Sequence, residues 1–132
     1  MTLVLDASVV AAALIDTGPI GVWAEDRLDS DLLAAPHLMQ AEAVNVLRRA
    51  ELRGEISTEV AATACMDLLD MRVELHDFGQ FAGRVWQLRD NVTVYDAWYV
   101  ALAEALEASL ATLDRRLATA IGPTCTFELP PV

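Results

Sequence analysis

The stretch TLVLDASVVAAALI, residues 2–15, decides how this chain folds. Its first four residues form a short apolar run that reads as a buried strand, and ASVVAAALI reads as a helix packed on it. The run stops on a single carboxylate, Asp6, at the junction. Two readings of that carboxylate compete. Asp6 caps the helix, since an aspartate oxygen accepts the orphan N–H groups of a first turn. Or Asp6 stands at the carboxyl end of a parallel strand, where open α/β sheets bind ligands and metals.

Outward from this unit the alternation continues. GPIGVWAEDRLDS (18–30) reads as a helix with a proline near its start, its EDRLDSD charge run a solvated end, and LLAAP (32–36) as a short strand. HLMQAEAVNVLRRAELRG (37–54) reads as a long helix closed by Gly54, and STEVAATACMDLLDM (57–71) as another. VELHD (73–77) reads as a strand, FGQFAGRVWQLRD (78–90) as a helix, and TVYDAWYVALAEALE (93–107) as a strongly apolar helix. SLATLD (109–114) reads as a strand ending on a carboxylate, RRLATAIG (115–122) as a short helix, and CTFEL (125–129) as a last strand. Strands alternating with helices imply an α/β fold with a mostly parallel sheet flanked by helices in three layers, as a single domain over residues 1–132.

Bulk properties narrow the function. A chain of 132 residues buries roughly two thirds of its extended surface. The hydrophobic fraction is 55% and mean hydropathy +0.35, which excludes a disordered tail. No apolar run reaches the roughly 18–20 residues of a membrane span, and no basic segment precedes Asp6 as in a secretory signal. A cytoplasmic location without membrane contact is expected. Cys65 and Cys125 match no zinc or redox spacing and are expected to be inert thiols. The net charge is −11, and all nine basic residues are arginine. Without lysine there is no P-loop, no Schiff base and no catalytic lysine of the haloacid-dehalogenase or receiver-domain kind. Such acidity argues against nucleic acid as a partner, unless some carboxylates hold divalent cations that reverse the local charge.

Four carboxylates carry the chemistry. Asp6 and Asp114 end two strands, and taken singly each reads as a helix cap. Asp96 lies three residues after Thr93, as in a capping box. Glu42 falls inside a helix, where no cap is needed; Asn45, Arg49 and Arg53 share its face, a stripe that is either solvated or a groove tracking phosphates. The set matters more than its members. In a parallel sheet all four carboxylates can converge at the carboxyl ends of the strands, where they would repel. A hard divalent ion bound through oxygens removes that conflict and supports phosphodiester hydrolysis. On repulsion alone, Asp6→Ala and Asp96→Ala are both expected to leave the metal-free protein as stable or more so, whereas a cap predicts a loss of about 0.5–2 kcal/mol. His37 and His76 have no neighbour at metal spacing and read as structural, and Tyr95, Trp98 and Leu102 read as core or interface.

LVLDASV, AEAVNVL, TVYDAWYVALAE and LATLDRRL occur in this order along the chain and resemble the PIN-domain pattern, in particular the ribonuclease toxins of VapBC toxin–antitoxin modules. The resemblance implies that Asp6, Glu42, Asp96 and Asp114 hold Mg²⁺ or Mn²⁺, with Asp6 and Asp96 as principal ligands. It implies that Ser8, Asn45 and Thr112 line the pocket, and Arg49, Arg53, Arg115 and Arg116 are weaker candidates for RNA contact. It further implies a homodimer, metal-dependent RNA cleavage leaving 5′-phosphate and 3′-hydroxyl ends, and a VapB-like antitoxin that blocks the pocket with a basic side chain. The competing readings are a PIN-like module that grips RNA or protein without cutting, the same site cutting DNA, and a phosphomonoesterase. The last lacks the second aspartate it would need, since Ser8 stands there.

Overall fold

The computed structural model describes all 132 residues, Met1–Val132. Five strands, β1 (Thr2–Leu5), β2 (Leu32–Pro36), β3 (Glu74–His76), β4 (Ser109–Ala111) and β5 (Phe127–Glu128), form one sheet in the order β3-β2-β1-β4-β5. Every neighbouring pair is parallel, so the sheet is wholly rather than mostly parallel. Its centre is dry: Val4, Leu5 and Leu110 are fully buried, as expected of strands covered on both faces.

Seven helices make the crossovers: α1 (Ala7–Ile15), α2 (Pro19–Arg27), α3 (Leu38–Leu52), α4 (Thr58–Asp70), α5 (Ala82–Gln87), α6 (Val94–Ala105) and α7 (Arg115–Ala118). Helix α1 packs on α2, α3 and α4, and α6 packs on α5 and against β1, β2 and β4. From β1 the chain steps to β2 and β3; from β4 it steps the other way to β5. Right-handed crossovers therefore put α1–α4 on one face of the sheet and α5–α7 on the other. The strand order reverses between β1 and β4, and open α/β sheets carry their sites at the carboxyl end of such a reversal.

Local chemistry sets the element ends. Ser57 caps α4 by accepting the Val60 N–H at 3.1 Å. Gly54, at φ +75°, closes α3 in a Schellman motif, with Gly54 N–H bonded to the Glu51 carbonyl and Glu55 N–H to that of Ala50. Helix α6 closes the same way, but with Glu107 at φ 53° in the place glycine usually takes. The 78–90 helix read from the sequence is divided: a 3-10 turn at Gly79–Phe81 precedes α5. The helix read at 115–122 lasts one turn, α7, which ends at Ala118 with Thr119 as its C-cap. The strands read at 109–114 and 125–129 are each shorter, pairing only through β4 and β5.

Helices α1 and α2 meet at 117° through a tight corner. Gly21 packs there against the backbone of Asp16, and a Cβ at Gly21 would stand 1.8 Å from the Asp16 carbonyl oxygen. Backbone cannot yield as a flexible side chain does. Gly21→Ala is therefore expected to destabilise by at least the roughly 1–3 kcal/mol of an overpacked core, read in urea denaturation; an unchanged midpoint would show that the corner shifts freely.

Candidate functional site

The carboxyl ends of β1 and β4 deliver Asp6 and the Thr112–Asp114 turn to the point where strand order reverses. The Asp6 N–H bonds the Ala111 carbonyl at 3.0 Å, tying the two strand ends together. Asp6 holds the N-cap position of α1, yet its side chain makes no cap bond. Its Oδ2 instead accepts two hydroxyls, Ser8 Oγ at 2.8 Å and Thr112 Oγ1 at 2.7 Å. Those hydroxyls are themselves held: Leu113 N–H donates to Ser8 Oγ at 3.2 Å, and Asp114 N–H to Thr112 Oγ1 at 3.1 Å. Thr112 is the one fully buried polar side chain of the core. The capping reading of Asp6 fails: the carboxylate accepts two fixed hydroxyls on Oδ2 and no N–H of the α1 first turn.

Asp114 does cap. Its Oδ1 accepts the Arg116 and Leu117 N–H groups at 2.9 and 3.2 Å. Asp96 sits in the first turn of α6, where Thr93 is the cap and accepts the Asp96 N–H at 3.2 Å. The Thr93 N–H makes no bond to the Asp96 carboxylate, so the capping box is not completed. Glu42 is half-buried, and its Oε1 accepts the Tyr99 hydroxyl at 2.6 Å.

The electrostatics place these carboxylates in one neighbourhood. Burial, then the charges of Asp6 and Asp96, push the Glu42 carboxyl above the usual range, while the Tyr99 hydroxyl holds it back. Burial and the charges of Asp6 and Asp114 raise Asp96 in the same way, against an opposing hydrogen bond from Thr93. Burial, the bond to Glu42 and the charges of Asp6 and Glu42 push the Tyr99 phenol far up, so its proton stays on. No three Asp, Glu, His or Cys side chains are drawn tightly enough to form a ready cation cage. The donor chemistry nonetheless suits a hard divalent cation, since every group facing the crevice offers oxygen and the carboxylates carry the charge.

The other residues singled out from the sequence divide. Ser8 and Thr112 orient Asp6, whereas Asn45 is exposed and makes no side-chain hydrogen bond. Arg49, Arg53 and Arg116 are exposed and unpaired, while Arg115 is held by the Pro130 carbonyl. His37 faces Asp77 at 3.3 Å and His76 faces Glu74 at 2.7 Å, so neither joins the carboxylates. Leu102 is core, Trp98 meets Phe78 edge to face, and Tyr95 is exposed. Both cysteines are free thiols, and burial together with the Glu104 charge pushes Cys125 up to about 11. No single helix is long and apolar enough to cross a membrane. Tyr99 escaped the sequence reading. Its signal was its place three residues after Asp96, on the helical face that α6 turns toward the same crevice.

Comparison with known proteins agrees with this architecture. The family model described as "PIN domain" matches residues 3–121. The chain belongs to the PIN-domain family, in its VapC branch. This PIN domain is 42% identical over 128 residues to Ribonuclease VapC1 of Mycobacterium tuberculosis, covering 96% of each chain. It is 36% identical over 127 residues to Ribonuclease VapC12 of the same organism, covering 96% of this chain and 98% of the relative. Among solved structures it superposes on the VapBC2 structure from Rickettsia felis, described as bound to a DNA fragment from their promoter, with a TM-score of 0.70 at 16% identity over 99% of this PIN domain and 100% of that chain.

Proposed function

We propose that this PIN domain is a Mg²⁺- or Mn²⁺-dependent endoribonuclease and the toxic component of a toxin–antitoxin pair. The reading is supported by Asp6 and Asp114 following β1 and β4 at the strand-order reversal, and by the charge of Asp6 reaching both Glu42 and Asp96, which burial first and neighbouring charge second push up. Relatives named as VapC ribonucleases over nearly the whole chain support it.

The chemistry a divalent ion supplies when bound is water activation and neutralisation of charge developing at phosphorus. Asp6 and Asp96 would hold it as principal ligands, with Glu42 and Asp114 completing the site directly or through water. Ser8 and Thr112 fix the Asp6 carboxylate so that it does not reorient when a cation arrives. Arg49 and Arg53 supply cations along α3 for the RNA backbone, against the acidity of the rest of the chain. Arg115 is spent on the C-terminal segment, which leaves Arg116 as the better contact beside Asp114.

A groove of about 410 Å³ opens beside Ser8, floored by Ala12, Ile15, Val46 and Leu113 and rimmed by Asp16 and Glu55. Apolar floor and acidic rim suit an amphipathic antitoxin segment that carries a basic residue toward the carboxylates. We also infer a homodimer and a single domain over residues 1–132 in the cytoplasm, as in the sequence reading.

The test is side-by-side digestion of RNA and DNA oligonucleotides with Mg²⁺, with Mn²⁺ and with chelator. RNA is expected to be cut only when a cation is present, leaving 5′-phosphate ends. RNA retained on the protein but uncut under both ions would favour the non-catalytic binding module, and cleavage of DNA alone would overturn the substrate class.

A further inference from the structure

Three of the four carboxylates in the crevice share a pattern. Asp6 accepts both its hydroxyl bonds on Oδ2, Asp114 both its amide bonds on Oδ1, and Glu42 its one bond on Oε1. No protein hydrogen bond reaches the second oxygen of any of them. Each carboxylate is divided into an oxygen anchored to the protein and an oxygen left over.

For Asp6 and Asp114 the anchoring groups are local, lying on or next to their own turn, apart from Thr112, which follows β4. Glu42 is different. It stands mid-helix on three rotatable bonds, and nothing on α3 restrains its head group. Its restraint crosses from α6, 57 residues away in sequence. Tyr99 is 1% exposed, its ring is held in the core, and α6 is packed on β1, β2 and β4. The hydroxyl is therefore delivered from a rigid base with only two torsions of its own.

We propose that Tyr99 is a positioning residue for cation binding, its hydroxyl committing one oxygen of Glu42 to the protein and reserving the other for a single bond to the ion. The inference rests on the metal-dependent reading above. Groups that orient a ligand without touching the ion cost about 10–100-fold in affinity or activity when removed. Glu42 and Tyr99 have that relation here. A purely structural tyrosine would instead be needed for its ring and indifferent in its hydroxyl.

The experiment is Tyr99→Phe, with Tyr95→Phe as a control on the same helix, whose hydroxyl is exposed and makes no side-chain bond. Mn²⁺ affinity is measured by calorimetry alongside the melting temperature of the metal-free proteins. Tyr99→Phe is expected to weaken Mn²⁺ about 10-fold or more, and Tyr95→Phe to leave it unchanged. An affinity within twofold of the native chain, with or without a lower melting temperature, overturns the proposal. A native chain that binds neither Mn²⁺ nor Mg²⁺ refutes the metal site itself, a separate outcome. If Tyr99→Phe does not fold, proton NMR of the native chain carries the test. The slowly exchanging Tyr99 hydroxyl proton is expected to persist through a Mg²⁺ titration, and its loss on saturation would mean the ion takes the anchored oxygen.

Discussion

Asp96→Asn is expected to cut RNA cleavage by more than about 100-fold while raising the melting temperature of the metal-free protein. The first effect follows from losing a ligand outright, which costs more than the 10–100-fold of losing a group behind one. The second follows from the raised carboxyls. Burial and the neighbouring charges lift the folded-state values of Asp96 and Glu42 above their unfolded ones. For a raised group the stabilising contribution is fully present below the unfolded value, about 4 for an aspartate, and is lost as pH climbs through the folded value. Above those folded values both carboxylates are charged against their surroundings. Asparagine removes that repulsion at position 96 and lets Glu42 relax as well.

Calorimetry with chelator at pH 5 and pH 8 reads both. The advantage of Asp96→Asn over the native chain is expected to be larger at pH 8 than at pH 5, because the raised carboxyls take up protons as pH falls. A lower melting temperature at pH 8 would show that Asp96 holds the fold together rather than straining it. Asp6 does not behave the same way, although the repulsion argument from sequence grouped the two. Asp6→Ala leaves the buried Thr112 hydroxyl without its acceptor, at a cost of about 1–3 kcal/mol. Asp6→Asn keeps an oxygen there and isolates the loss of charge.

Mg²⁺ is expected to raise the melting temperature in proportion to the logarithm of its concentration. At a hundredfold excess over Kd the folded state gains about 2.7 kcal/mol. For a chain of this length that amounts to roughly 10 °C. Two features make the shift diagnostic. It is expected to be smaller at pH 5 than at pH 8, because protons compete for the raised carboxyls of Glu42 and Asp96. It is also expected to fall away in Asp96→Asn, whose own melting temperature is higher. A metal-independent melting temperature at millimolar Mg²⁺ and Mn²⁺ would remove the cation from the proposed mechanism.

How much was legible in the sequence depends on the range of the interaction. The β1–Asp6–α1 unit was legible because a four-residue apolar run and the helix after it are local patterns. The Gly54 closure was legible for the same reason. The extents of α5 and α7 were not, since an apolar pattern does not show where a 3-10 turn precedes a helix or where a single turn ends one. At the site, four carboxylates on three helix starts and one helix middle were nameable as a set. Which of them caps a helix was not: Asp114 does, Asp6 does not, and the local sequence offers both the same opportunity.

By itself the sequence determined a parallel α/β chain with four candidate acids, three at helix starts and one within a helix, and no lysine to rival them. That follows because strand and helix periods, turn residues and residue types are properties of neighbours along the chain. Only the tertiary structure decided which oxygen of Asp6, Glu42 and Asp114 is already bound. Thr112 lies 106 residues from Asp6 and Tyr99 lies 57 from Glu42, and each pair meets only because β4 pairs with β1 and α6 packs over their carboxyl ends. Hydrogen bonds form across space at under 3 Å, and no period along a chain encodes a partner that far away.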